Sequence, residues 1–376
     1  MGERWILQLC HGYSGPFLDV ARQYAVLFRG TPFKVLTVYL TGTPSEEART
    51  GSASDEVIFL DYSSKAIRGL KLGAIRAIRK IAASRDFAMV IAHRFKPIYV
   101  ACLATKLPVI GVHHAFGDYD RPQRRWFAHL FCQRLALLGV SNAVREDIRE
   151  HLPNWAPERI ETLYNRLDVE AVRSQLLPRE EARAKLDLPQ DATIIANVGR
   201  LHPDKDQATL VEGFAKALPE LPGCTLLTIA GRGPLENELK ALAQRLGIAG
   251  SVRFLGQVPD ARRYFRAFDL FVLTSDHEPF GMVLLEAMAA NVPILATDCG
   301  GAPEVVGEPD QLFPLQAPER LAERLVEFIT HHCAAKRAAI SEKGAWRLHD
   351  GFTDETARRD FFALPTIQNI LQTQNR

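Results

Sequence analysis

The stretch Leu270–Thr297, "LFVLTSDHEPFGMVLLEAMAANVPILAT", holds a full strand–loop–helix–strand pattern. Leu270–Leu273 is a short apolar run of the kind that forms a strand buried on both faces. A Pro279-Phe280-Gly281 turn follows, then a run of helical period, then a second apolar run at Ile294–Thr297. Two strands joined through a helix lie parallel, so this stretch predicts an α/β domain. It also carries two acids, Glu278 in the loop and Glu286 inside the helix near its start. Gly281, Met282 and Val283 open the helix, where free N–H groups and the positive dipole end favour anions. A carboxylate at Glu286 can accept from two neighbouring hydroxyls, each bond worth roughly 1.5–3 kcal/mol. Glu278 would face a different set. A plain helix with one acid in its preceding loop and one exposed Glu leaves the Pro-Gly turn and the apolar company of Glu286 unexplained.

Outward from this unit the pattern repeats. Strand-like runs stand at Thr193–Val198, Thr225–Ala230 and Val252–Leu255 in the second half. In the first half they stand at Ile6–Cys10, Val35–Leu40, Val57–Leu60, Ala88–Ala92, Val109–Val112 and Leu137–Val140. The 376-residue length and this alternation predict two Rossmann-like α/β domains, each with a parallel sheet. The division falls near residue 168, with 1–168 one domain and 169–351 the other. The polar, Pro-bearing stretch Leu177–Gln190 reads as part of the connection, and a C-terminal helix over 352–376 returns to the first domain. Formal net charge is +2, too near neutral to argue for nucleic acid. Six cysteines form no C-x-x-C pair, fit no zinc spacing and are expected to be reduced and mostly buried. The N-terminus shows no signal-peptide run, and Ile6 stands where myristoylation needs Ser or Thr. No apolar run approaches the length of a membrane span. These features predict a cytoplasmic location.

Ligands of open parallel sheets bind beyond the carboxyl ends of the strands. The residues at those ends are His11–Gly15, His113–His114, Ser141–Asn142, Gly199–Arg200, Gly231–Gly233, Gly256–Val258 and Ser275–Gly281. They predict one cleft between facing domains. Arg200 and Lys205, in "GRLHPDKD", suit a diphosphate: Arg supplies a fork of donors and Lys a point charge. Two solvated surface charges are the competing reading. "AGRGP" (Ala230–Pro234) allows either close ligand approach or a plain strand-to-helix turn. Two D-x-D pairs, Asp118–Asp120 and Asp204–Asp206, are too short a pattern to argue a metal site, and none is expected. "GYSG" (Gly12–Gly15) lacks the dinucleotide-binding spacing, and no cofactor is expected. Two acids, a helix start and two cations outline a sugar joined to a nucleoside diphosphate.

The second half resembles the nucleotide-binding half of family 4 glycosyltransferases, retaining enzymes of the GT-B type. The matching pieces are "NVGRLHPDKD", "LLTIAGRGPLENELKALAQRLGI", "VRFLGQV" and "EPFGMVLLEAMAANVPILATDCGGAPEVV". The first half resembles the family through "LPVIGVHHAF", "VSNAVREDI" and "IETLYNRLD". The resemblance implies that Arg200 and Lys205 bind the donor diphosphate, and that Gly199 and Gly231 also belong to the donor site. It implies that Glu286 holds the ribose and that Val258 meets the base through its backbone. Glu278 and the amides of Phe280, Gly281, Met282 and Val283 would hold the sugar, and Gly15 would approach the diphosphate. His114 would lie at the reacting face of the sugar, with the adjacent His113 either the true match or a core histidine. Three positions depart from the family pattern: Pro279 and Asp206 where glycine is common, and Phe17 where an acid is common.

The implied reaction is transfer of a hexose, from a UDP-sugar by preference, with retention and without a metal. Ser63–Arg85 carries seven basic residues and no acid. Read as a helix, it puts Lys65, Arg68, Arg76, Arg79 and Lys80 on one face and Ile67, Leu70, Ala74, Ile78 and Ile81 on the other. A second patch, "RPQRRWFAHLFCQR", mixes arginines with aromatics. Both favour a phosphorylated or lipid-anchored glycan acceptor, such as a lipopolysaccharide core, and peripheral contact with an anionic membrane. The alternatives are an epimerase of nucleotide sugars on the same scaffold and a catalytically silent sugar-nucleotide-binding subunit.

Overall fold

The computed structural model describes residues 3–373. Met1 and Gly2, and the last three residues of the expected C-terminal helix, lie outside that range. The chain divides into two compact units, one running to Arg166 and resuming at Asp354, the other spanning Leu167–Thr353.

The first unit holds β1 (Arg4–Cys10), β2 (Phe33–Tyr39), β3 (Glu56–Phe59), β4 (Phe87–His93), β5 (Val109–His113), β6 (Leu135–Gly139) and β7 (Ile160–Thr162). They form one parallel sheet in the order β3-β2-β1-β4-β5-β6-β7. Every residue of β4, β5 and β6 is buried, as expected of strands covered by helices on both faces. The three-residue β7 escapes the sequence pattern because Ile160 is its one buried position. The C-terminal segment belongs to this unit through two kinds of contact. Asp354 pairs with Arg22 at 2.7 Å and with the fully buried Arg166 at 2.8 Å, and Phe361 meets Phe28 edge-on at 5.7 Å.

The second unit holds β8 (Thr193–Val198), β9 (Thr225–Ala230), β10 (Val252–Gly256), β11 (Leu270–Leu273), β12 (Ile294–Thr297) and the two-residue β13 (Leu312–Phe313). Its parallel order is β10-β9-β8-β11-β12-β13. In both sheets the order reverses beside the first strand, between β1 and β4 and between β8 and β11. These are the switch points where such sheets bind ligands.

Three expectations need correction. Leu177–Gln190 is not linker: it contains the helix Arg179–Lys185 and belongs inside the second unit. Arg183 explains why a polar stretch can be built in. Its side chain is fully buried, pairs with Asp269 at 2.8 Å and donates to the carbonyls of Ala267 and Ala192, both at 2.9 Å. The basic helix begins only at Leu72 and ends at Ala82. Gly69 and Lys71 sit at φ +56° and +54°, a left-handed conformation no α-helix continues through. Lys65 and Arg68 therefore precede the helix, and Leu70 is 67% exposed instead of joining the buried Ala74 and Ile78. The cysteines are all free, but only Cys10 and Cys102 are buried; Cys224 and Cys333 are exposed. Cys224 stands in the turn before β9 and Cys333 caps the helix Ala334–Gly351, both surface positions.

Candidate active site

In the second unit the loops after β8 and β11 are tied to each other. Thr274 Oγ1 donates to the Lys205 carbonyl at 2.9 Å, and the Asp276 N–H donates to the Asp204 carbonyl at 3.1 Å. Across to β12, Thr297 Oγ1 donates to the Ser275 carbonyl at 2.6 Å, and the Gly301 N–H donates to the Glu278 carbonyl at 2.8 Å. On this frame Lys205 Nζ meets Glu278 Oε2 at 2.9 Å and Ser275 Oγ at 3.4 Å. The Glu278 side chain is only 10% exposed, whereas Arg200 is 70% exposed and holds Asp204 loosely at 3.4 Å. A fixed ammonium–carboxylate pair thus stands beside a guanidinium free to swing onto an anion. Asp206 adopts φ +42°, which explains glycine's usual place there, and its carboxylate caps the helix Gln207–Ala217 through Thr209 N at 3.3 Å.

Gly281, at φ +100°, is the residue before the helix Met282–Ala289, whose first turn has no acid. A Cβ on Gly281 would meet Leu284 at 2.9 Å, so both conformation and space call for glycine. Met282, Val283 and Glu286 are half-buried on this helix. Phe280 is buried and edge-on to Phe352 at 5.6 Å, so its side chain anchors the loop while its backbone faces the helix start. Val258 is half-buried just beyond β10. The glycines of "AGRGP" answer the question left open by sequence. A Cβ on Gly231 would stand 1.8 Å from the Gly199 carbonyl oxygen, and one on Gly233 2.1 Å from that of Leu201. Their room is taken by the loop after β8. Ser141 likewise serves as a cap, accepting from Val144 N at 3.1 Å.

The first unit gathers a second cluster at its switch point. His113 is fully buried with both ring nitrogens engaged, by Asp118 at 2.7 Å and the Tyr119 hydroxyl at 3.2 Å. That is the core histidine. Burial alone would raise the Asp118 carboxyl, but the His113 bond and the Arg124 charge hold it below the usual range. His114 instead meets His93 at 3.2 Å and keeps its Nδ1 without a hydrogen-bond partner. Burial first, then the nearby His113 and Arg94, push His114 down to about 3. Phe17 packs edge-on to His114 at 6.5 Å and lies under the Arg94 guanidinium at 5.0 Å. Gly15, at φ +62°, has open space around it. His93 ends β4, and Arg94 and Lys96 follow it as His11 follows β1, outside the strand ends singled out from the sequence. Applying the strand-end rule at β4 would have found them.

The D-x-D pairs separate. Asp118 serves His113 and Arg124, while Asp120 turns to His151 at 3.1 Å. Asp120, Asp147 and His151 do lie together, their ligand-type atoms within 4.8 Å of one another.

Two family models match the chain: "Glycosyltransferase Family 4" over residues 26–171 and "Glycosyl transferases group 1" over residues 178–346. The chain belongs to this glycosyltransferase family. The chain is 34% identical over 175 residues to the lipopolysaccharide core biosynthesis glycosyltransferase LpsE of Rhizobium meliloti, an alignment covering 46% of this chain and 49% of the relative. It is 36% identical over 186 residues to a D-inositol 3-phosphate glycosyltransferase of Streptomyces scabiei, covering 45% and 42% respectively. The chain thus spans about half the length, or less, of these curated relatives. Its fold is similar to that of Anabaena HepE, solved with UDP and glucose, at TM-score 0.75 and 20% identity over 99% of each chain. The fold is GT-B.

Proposed function

We propose that this glycosyltransferase moves a hexose, with retention, from a nucleoside diphosphate sugar to a glycan acceptor. One observation carries the reading: Lys205 and Glu278 are paired at 2.9 Å at the β8/β11 switch point, with the exposed Arg200 beside them. Arg200 and Lys205 take the diphosphate, and Glu286 takes the ribose. Val258 meets the base, and Gly199 and Gly231 shape the loops beneath. Glu278 and the amides of Phe280–Val283 hold the sugar. A UDP-sugar is favoured, supported by the UDP and glucose bound in HepE. The sugar C1–O bond to the diphosphate breaks as the acceptor oxygen bonds to C1 on the same face. The acceptor proton passes to the departing phosphate oxygen. The protein supplies charge stabilisation and positioning, and no metal is required.

The acceptor is a lipopolysaccharide core or another phosphorylated or lipid-anchored saccharide, in keeping with the lipopolysaccharide core biosynthesis enzyme LpsE. Leu70, Leu72, Trp126 and Leu130 are 55–67% exposed. Trp126 and Leu130 share one face of the helix Pro122–Leu130, four residues apart. Lys71 lies over the Tyr99 ring at 4.5 Å, and Tyr99 stacks on Phe127 at 4.9 Å, so the two regions adjoin. Apolar side chains among bases suit the surface of an anionic membrane. Among the described residues no helix is long and apolar enough to cross one.

A thermal-shift panel of UDP-, GDP-, ADP- and CDP-sugars tests the donor. A ligand at about 100 times its Kd stabilises by about 2.7 kcal/mol. Arg200→Ala should lower turnover far more than stability, and the anomeric coupling of the product should match that of the donor. Failure of every sugar nucleotide to shift the melting temperature overturns the reading. Donor conversion without acceptor would make the protein an epimerase, and chelator-sensitive turnover would end metal independence.

A further inference from the structure

The loop after β4 carries two cations that form no ion pair among the described residues. Arg94 and Lys96 open the helix Phe95–Ala104, whose first turn carries no acidic residue. Arg94 is exposed and held at φ +71°, ψ 162°, a region essentially reserved for glycine. A chain that keeps arginine there accepts backbone strain, and the guanidinium lies over the Phe17 ring at 5.0 Å. Asp118, whose carboxyl the Arg94 charge also helps to lower, is held directly by His113 and Arg124. Around the cations, His11 and His114 are half-buried, and the Nδ1 of each has no hydrogen-bond partner. The charges of Lys96 and Arg94 both reach His11 and, with burial as the larger cause, push it down to about 4. Neutral imidazoles offer N–H donors to an anion without needing a proton from solvent. A helix start adds its own N–H groups.

We infer that Arg94 and Lys96, with His11 at the end of β1, bind a phosphate monoester carried by a saccharide, so that the acceptor is recognised by its phosphate. The site lies wholly in the first unit. It deepens the glycosyltransferase reading above and rests on it for the word acceptor. Phe17 belongs to it as the ring that positions Arg94. A carboxylate at that position, as is common in the family pattern, would repel the same phosphate.

The test is calorimetric titration of the full chain with glucose 6-phosphate, glucose, inorganic phosphate and UDP. Arg94→Gly removes the guanidinium while suiting the backbone, so it should fold at least as well as the parent. Arg94→Gly and Lys96→Ala should each weaken glucose 6-phosphate by about tenfold or more while UDP stays within about twofold. The double variant Arg200→Ala/Lys205→Ala should show the reverse pattern. No binding of glucose 6-phosphate to the parent overturns the inference, and so does equal binding of glucose. Loss of glucose 6-phosphate only in the Arg200/Lys205 variant means that it sits with the donor diphosphate, which also overturns it. If no sugar nucleotide binds but glucose 6-phosphate does so through Arg94 and Lys96, the donor reading fails and this site stands.

Discussion

Lys205 illustrates how a single side chain is read twice. In sequence it is a cation five residues after Arg200; in the fold it is held by Glu278 at 2.9 Å and only 19% exposed. Removing it leaves a largely buried carboxylate without its partner. Lys205→Ala should therefore cost about 2 kcal/mol of unfolding free energy in urea titration. Adding Glu278→Ala should recover part of that cost without restoring nucleotide binding, because the ammonium is still missing. Full recovery of binding in the double variant would show that Lys205 only neutralises Glu278. Most residues of the candidate site were legible because glycines, acids and cations stood at strand ends. His93, Arg94 and Lys96 stand at a strand end too, but the φ of +71° that sets Arg94 apart from any surface arginine shows only in the fold.

At the scale of elements, strand positions followed from apolar runs, because strands covered on both faces allow few polar residues. Helix limits were less legible. The periodicity of Ser63–Arg85 continues through Gly69 and Lys71, but their left-handed backbone does not. Leu72 at the start of the shorter helix and Leu70 just before it are still exposed beside basic residues. Cosedimentation with vesicles rich in anionic lipid should be clear at low ionic strength. It should fall as the Debye length shrinks from about 30 Å at 0.01 M to about 8 Å at physiological salt. Absence of low-salt cosedimentation removes the membrane contact. The glycines after β9 make a sharper case. Gly231→Ala would bring a Cβ within 1.8 Å of the Gly199 carbonyl oxygen at a backbone φ of +146°. Backbone cannot rotate away as a side chain can. The cost should exceed the roughly 1 kcal/mol of an ordinary Gly-to-Ala change, as measured by denaturant midpoint.

Across the whole molecule, stability should depend on pH through the histidines of the first unit. His11 and His114 are lowered from 6.5 to about 4 and about 3, burial being the larger cause in each. A base with a depressed folded pKa binds protons more readily when unfolded. Its stabilising contribution is complete above pH 6.5 and is lost as pH falls toward 4 for His11 and toward 3 for His114. Urea midpoints should fall between pH 7 and pH 4, and His11→Gln should flatten part of that slope. Asp354 offers a second long-range test. Asp354→Asn leaves the buried Arg166 without its carboxylate, at a cost of about 3 kcal/mol in the first unit. An unchanged denaturation curve would show that water replaces the pair.

The sequence by itself determined the alternation of strand and helix, the parallel sheets and the chemistry gathered at the ends of β8 and β11. Apolar period and strand-end position are local properties that a linear chain displays. Only the tertiary structure decided that Arg183 is core, that His113 is spent on Asp118 and Tyr119, and that the room at Gly231 belongs to the loop after β8. It alone revealed Arg94 and Lys96 as cations that form no ion pair among the described residues. Each of these turns on which distant backbone or side chain arrives beside a residue, and packing, not local pattern, settles that.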